Sequence, residues 1–471
     1  MALRDILLNL PEVTKPEQRL SFSTKLKWTL IVLIAFFVLA NIPLYGLAKN
    51  ALEKFEYLAI IFGTDFGSII SLGIGPIVMA SIILQLLVGS KILNIDMTTK
   101  EGRQYFEGLQ KLLTFFFVLF EALVYVLMGG LQAMPGKTVI VIVQLCIGGL
   151  LIVLMDEVTT KWGFGSGVSL FIAAGVGWRL FTAAFSFIGP EHQIQPVGKV
   201  FVLFSAVAAG DTILAARALA SIIATVAIFL LIVWMQSIKA EVPLSFERVR
   251  GYSIRWPLAF FYTSNIPVIL TAALFANMQL FARFSENAAA ACIGNVTTCG
   301  MASRFASKMT WLGSFDAQGT PRAGLVYWLN SPNLVDALIT KSFTAQMLAQ
   351  SLFHILFFVA FSVLFAVFWV RTSGMDASSQ AKQILSSGLQ IPGFRRDSRV
   401  LEAVLARYIM PLTIMGGAAI GMLAAVTNLL GVLTSGTALL LAIMITYKLY
   451  EDIAQQHAYD MYPALRRFIE K

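Results

Sequence analysis

Apolar residues along this chain come in long unbroken blocks, without the short strand-like alternation that marks a membrane barrel. Ten blocks, at about 28–48, 74–93, 109–130, 137–156, 167–188, 213–238, 257–282, 345–370, 403–430 and 436–453, are candidates to cross a bilayer. A hydrocarbon core of about 30 Å takes roughly 20 helical residues, and each block comes close to or exceeds that length. Lipid offers the backbone no hydrogen-bond partner, so spans of this kind are helices. The pattern predicts an all-α polytopic membrane protein. Composition agrees: 58% of the 471 residues are hydrophobic and only 13% are charged, more apolar surface than a soluble core of that size buries.

Charge sets the orientation. With ten spans both ends lie on one side, and placing them in the cytosol assigns 24 of the 35 Lys and Arg residues to that side. The net charge of +9 is then concentrated on one face. The first 27 residues are amphipathic and lack a small-residue cleavage site after a short apolar core, so the first span is expected to stay uncleaved. Three cysteines are too few for a disulfide framework. Cys292 and Cys299, in CIGNVTTC, fall in a long external loop where the compartment permits a disulfide, and the same stretch holds the glycosylation sequon Asn295-Val296-Thr297.

The stretch Gly73-Ile74-Gly75-Pro76 puts helix-disfavouring residues directly before an apolar run. A phosphate-binding loop is excluded, because Val78 stands at the third glycine position and no strand precedes it. The piece before it, Tyr57 to Phe62, is too short to span and is followed by Gly63, Asp65 and Gly67. Such a broken segment sits at membrane depth only where protein or a water-filled cavity surrounds it, so the helix after Pro76 is expected to begin near mid-membrane. Gly163 to Gly167 and Ser435-Gly436-Thr437 repeat the device ahead of further apolar helices. Ile74 with Val78, and Val168 with Ile172, are i,i+4 pairs of branched side chains just past a break. Facing a shared cavity, they make a dry constriction; facing lipid or neighbouring helices, they are ordinary packing residues.

GIGPIV with QLLVGS after it, GSGVSLFIAAGV, the EVPL motif, SNIPVILTAALFANMQ and the closing Tyr447-Lys448-Leu449-Tyr450-Glu451 resemble the SecY family, the large subunit of the Sec protein-conducting channel, in its archaeal and eukaryotic branch. The resemblance runs over nearly the whole chain. It implies ten transmembrane helices in two inverted halves around a central pore, here 1–190 (spans one to five) and 191–471 (spans six to ten). It implies a collar of aliphatic side chains around the translocating chain at Ile74, Val78, Val168, Ile172, Ile269 and Leu441. It implies a plug half-helix at about 55–67 that includes Phe55, Leu58, Ile61, Phe62 and Gly67, and that moves aside on opening.

Glu121 lies inside an apolar span and Asn265 precedes Ile266-Pro267. A carboxylate within the membrane is costly and marks a candidate functional site. By the resemblance, Met79, Gln85, Glu121 and Asn265 belong to a lateral gate between spans two and seven, where the family often has Thr at the place of Met79. A plainer role for these polar groups is a hydrogen bond between helices, worth about 1 kcal/mol. The basic loops at 239–256 (Lys239, Arg248, Arg250, Arg255) and 371–407 (Lys382, Arg395, Arg396, Arg399) serve, by charge alone, as topology signals or contacts to anionic lipid. By the resemblance they dock on the ribosome or another cytosolic motor, with a long external loop at about 283–344 on the far side.

The reading is a passive conduit for unfolded secretory polypeptides with signal sequences, releasing membrane segments sideways into lipid. It calls for no catalytic residue, cofactor or metal, and no Walker sequence supplies a motor. The resemblance implies a single-span clamp subunit of the SecE or gamma type, a small beta-type subunit, and residence in the plasma membrane, or in the endoplasmic reticulum of a eukaryote. Two other classes remain at this stage. A secondary transporter shares broken helices but places charged or ion-coordinating groups at the midplane. An intramembrane serine protease built on Ser166 needs a base, and of His192, His354 and His457 only His354 lies within a span.

Overall fold

The computed structural model describes residues 12–18, 20–47, 67–89, 92–93, 95, 99–127, 131–187, 197–246, 253–263, 265–294, 310–316, 320–386, 389–390 and 397–461. The elements are, in order, α1 (Phe22–Ala40), α2 (Gly75–Gly89), α3 (Lys100–Leu127), α4 (Thr138–Trp162), α5 (Gly167–Phe185), α6 (Lys199–Ala209) and α7 (Thr212–Gln236). Then come β1 (Lys239–Phe246), β2 (Ser253–Ala259), α8 (Ile266–Gly294), β3 (Ser314–Phe315), β4 (Pro321–Ala323), α9 (Leu325–Leu329) and α10 (Leu334–Ile339). The chain continues with α11 (Ala345–Thr372), α12 (Ala377–Ser386), β5 (Leu389–Gln390), α13 (Ser398–Leu429) and α14 (Gly436–Met461). Eight of the described helices, α1, α3, α4, α5, α7, α8, α11 and α13, are long and apolar enough to cross a bilayer.

Two further helices complete the predicted ten. At 15 residues α2 is about 22 Å long, short of the hydrocarbon core. The turn from Gly67 to Ile74 makes up the distance. Its polar groups are enclosed in protein: Ser68 and Ser71 are buried, and the Gly67 N–H donates to Ser71 Oγ at 2.7 Å. The other, α14, turns polar at Lys448 and runs on to Met461.

Several boundaries differ from the hydropathy blocks for physical reasons. α1 is capped at its start by Ser21, and stops at Ala40, shortly before Pro43, which cannot continue the helix and pairs with Ser68 in an isolated bridge. The block predicted from 257 begins instead at Ile266, since Ser253 to Ala259 form β2. The hydropathy pattern also missed α6, which ends on left-handed Gly210 (φ 76°); Asp211 then caps α7, accepting from the Ile213 and Leu214 N–H groups.

β1 lies between β2 and β5, both antiparallel to it. The EVPL motif is on β1. Pro243 is tolerated there because β5 reaches only Ser245 and Phe246, leaving Pro243 a single neighbour. Val242 and Leu258 from the sheet pack with Ala381 and Ile384 of α12, so the sheet and α12 form one layer on a single face of the helical bundle. The largest apolar cluster lies among the helices, and α8 runs through its middle: 72% of its most apolar stretch is buried, against 22% for α7.

Candidate functional site: a cavity closing on an aliphatic waist

Two glycine-marked helix starts position the site. α5 begins at Gly167, where an added Cβ would lie 2.5 Å from Asp156 Cα, so only glycine lets the two helices approach this closely. Asp156, near the end of α4, then accepts the Val168 N–H at 2.9 Å and caps the new helix. α14 repeats the arrangement. A Cβ on Gly436 would lie 2.3 Å from the Asn428 nitrogen, and Asn428 Oδ1 accepts the Thr437 N–H at 2.7 Å. The start of α2 is seated differently: the turn before it packs into a notch at Gly148 of α4, where a Cβ would come within 1.9 Å of the Ile69 carbonyl oxygen. Neither Asp156, Asn428 nor Gly148 was singled out from the sequence. The available signal was a polar residue closing an apolar run shortly before a glycine-marked start.

These starts bring the predicted collar together. Ile74, Val78, Ile172, Ile269 and Leu441 are all buried in one apolar cluster, with Val168 packed against it. The five buried side chains line a cavity of about 30 Å³, room for about two waters at most. Val78 and Ile269 also border a second cavity of about 1030 Å³, which Val168 lines as well. The wide cavity opens on the face that carries the sheet, and Arg103, Glu107, Lys382, Lys448 and Asp452 line it. α5 starts at this mouth and α14 ends at it, so the two helices run in opposite directions past the waist.

The other predicted residues separate into groups. Gln85 and Asn265 are buried and share the wall of the wide cavity. Glu121, buried on α3 one turn from Tyr125, does not line that cavity, and its Oε1 has no hydrogen-bond partner among the described residues. Met79 is half-buried and lines neither cavity. A contact between α2 and α3 that sequence reasoning missed is the Gln110 Nε2 hydrogen bond to Ser81 Oγ at 2.7 Å, both residues lying on the cavity wall.

Of the basic residues, Lys239 pairs with Glu451 at 3.7 Å and Arg255 with Glu241 at 2.9 Å. Lys382 borders the wide cavity, and the Arg399 N–H is capped by Asp397. Phe55, Leu58, Ile61, Phe62, Arg248, Arg250, Arg395, Arg396 and Cys299 lie outside the described residues, as does the side chain of Cys292. Gly67 is described, with φ 95° at the start of the turn before α2. His354 is fully buried, with Nδ1 2.5 Å from the Leu329 carbonyl and Nε2 3.2 Å from Asn428 Nδ2. Both ring nitrogens are engaged, whereas Ser166 is exposed at the mouth of the wide cavity, so the two do not form a nucleophile and base.

A multi-pass helical membrane protein with a wide cavity closing on an aliphatic waist is thereby defined. Its relatives specify it further. The SecY family model matches residues 68–450, and the chain belongs to that family. It is 42% identical to the protein translocase subunit SecY of Methanothermobacter thermautotrophicus over 98% of this chain and 96% of that one. Among solved structures, one of a protein-conducting channel is similar with TM-score 0.81 at 34% identity, covering 99% of each chain. A SecY protein whose plug domain stabilises the closed state of its translocation channel follows at 0.80 and 34%, again over 99% of both chains. Sec61 in the canine ribosome-channel complex from the endoplasmic reticulum reaches 0.78 at 33%, likewise with 99% of both covered.

Proposed function

We propose that this chain is the pore-forming subunit of a channel that passes unfolded secretory polypeptides across a membrane. The observation that carries the reading is the narrowing from about 1030 Å³ to about 30 Å³ at a collar of aliphatic side chains. A collar without charge or strong hydrogen-bonding groups grips no particular sequence, and it dewets when closed. Ile74, Val78, Val168, Ile172, Ile269 and Leu441 form that seal, with the wide cavity as the vestibule on the side from which the polypeptide enters. A secondary transporter would instead place charged groups at the waist, whose lining is apolar apart from the neutral Asn428, Ser435 and Thr437.

The vestibule side faces the cytosol and both termini lie there, as the Lys and Arg bias requires. Residues 55–67 act as the plug beyond the collar. Gln85 and Asn265, sharing one cavity wall where α2 and α8 face it, form the core of a lateral gate, and Glu121 acts from behind on α3. The opposed directions of α5 and α14, each started by Ser-Gly and capped by the helix before it, favour two inverted halves at 1–190 and 191–471. The basic loops at 239–256 and 371–407 meet a ribosome, and a SecE or gamma-type clamp and a beta-type subunit complete the complex in the lipid bilayer. No catalytic step is part of this function.

Replacing Ile74, Val78, Ile172 and Ile269 together with glycine tests the reading. The expected outcome is a resting ion leak in planar bilayers. Conductance equal to that of the parent channel would overturn the assignment of the collar.

A further inference from the structure

A hydrogen-bonded chain runs from the face opposite the vestibule to the collar. Leu329, the last residue of α9, presents its carbonyl to His354 Nδ1 at 2.5 Å. A carbonyl only accepts, so the Nδ1 position carries the proton and Nε2 is left as an acceptor. Asn428 Nδ2 stands 3.2 Å from that acceptor and also donates to Thr437 Oγ1 at 2.7 Å, while Asn428 Oδ1 takes the Thr437 N–H. The amide of Asn428 is therefore fixed on both sides. Thr437 lies one helical turn before Leu441, and the two line the waist cavity together with Asn428 itself. Phe275 and Phe358, which line the same cavity, pack their rings against His354, with centroids 6.2 and 4.7 Å away.

We infer that His354 and Asn428 are positioning residues for the pore seal: they hold the first turn of α14 so that Leu441 closes the collar. The inference rests on the proposed function of the collar. A hydrophobic seal alone has no means of fixing its own diameter, since apolar contacts are non-directional. Here direction comes from the Leu329 carbonyl, His354 and Thr437, all on buried residues, and from half-buried Asn428, each with a defined partner in an otherwise apolar region. The far end of the chain is the backbone of α9 on the opposite face, so displacement of that segment reaches the collar through two side chains.

The test uses the assembled channel complex purified from membranes and reconstituted in planar bilayers. His354→Leu keeps bulk but removes the acceptor, and His354→Gln returns an acceptor on a side chain of similar reach. The expected result is a resting conductance about fivefold above the parent for the leucine variant, the factor by which one hydrogen bond of ordinary net strength shifts an equilibrium, and near-parental conductance for glutamine. Thr437→Val, which removes one partner of Asn428, is expected to leak to a similar degree and carries the test if His354→Leu does not assemble. Ser351→Ala, on the same helix but bonded among the described residues only to the Met347 carbonyl, serves as control and stays tight.

Leu441→Gly separates the two ideas. If it leaks while His354→Leu and Thr437→Val remain sealed, the positioning role is wrong and the collar stands. A sealed Leu441→Gly channel removes the collar from under both. A leak of equal size in the leucine and glutamine variants also overturns the inference, because it assigns the effect to packing.

Discussion

Gly148→Ala is the sharpest single perturbation of the proposed collar's support. The methyl group would sit 1.9 Å from the Ile69 carbonyl oxygen, where ordinary contact begins near 3.4 Å, so α4 and the turn before α2 must separate by about 1.5 Å. The clash is with backbone at the end of a short hydrogen-bonded turn, in which the Ile69 N–H already donates to the Ile42 carbonyl and Gly73 to Ile70. Little give is available. An overpacked site of this kind costs about 3 kcal/mol. The displaced turn leads directly into Ile74, so part of that cost is expected to appear at the waist. Gly177→Ala is the matching control: it lies in α5, nothing stands within 4 Å of the added methyl, and helix propensity favours alanine by about 1 kcal/mol. Thermal inactivation of the complex in detergent, followed by resting conductance in bilayers, reads both effects. A Gly148→Ala channel as stable and as tight as Gly177→Ala would refute the close seating of the turn against α4.

Asp156→Ala should lower stability by about 1 kcal/mol by uncapping α5, with Asp156→Asn close to the parent; chemical denaturation of the two variants side by side checks it. Tyr262, between β2 and α8, donates to the Met375 carbonyl at 2.7 Å, and burial, aided by the nearby Asp376 charge, pushes its phenol up to about 12. The folded state thus favours the protonated phenol more than the unfolded chain does. Its contribution is full below about pH 10 and is lost as pH rises through 12. Tyr262→Phe should be less stable at neutral pH and show a shallower alkaline decline, measured by the pH dependence of unfolding. Reversing Arg248, Arg250 and Arg396 to Glu should weaken ribosome binding and flatten its salt dependence in a sedimentation titration. Equal affinity at every salt concentration would count against that docking surface.

The glycines marked out only the pairs Ile74 with Val78 and Val168 with Ile172, and the full six-residue collar is what the family resemblance implies. The helical class and the number of spans follow from hydrophobic block length, because lipid forces every backbone group to bond locally whatever the tertiary arrangement. For the same reason the broken start at Gly73 was legible: only a buried turn completes a crossing that 15 helical residues leave short. Hydropathy could not see that Ser253 to Ala259 pair with β1, since strand pairing depends on a partner distant in sequence as well as on local apolarity. Nor could it distinguish Gln85 and Asn265, on the cavity wall, from Glu121, which lies off it; all three are polar residues in or beside apolar spans. Tertiary structure alone decided which basic residues are already paired, as Arg255 is with Glu241, and which polar side chains hold the helix starts. Those are matters of distance between helices, and a linear pattern of apolar and polar positions carries the length of each helix but not the neighbours that its faces meet.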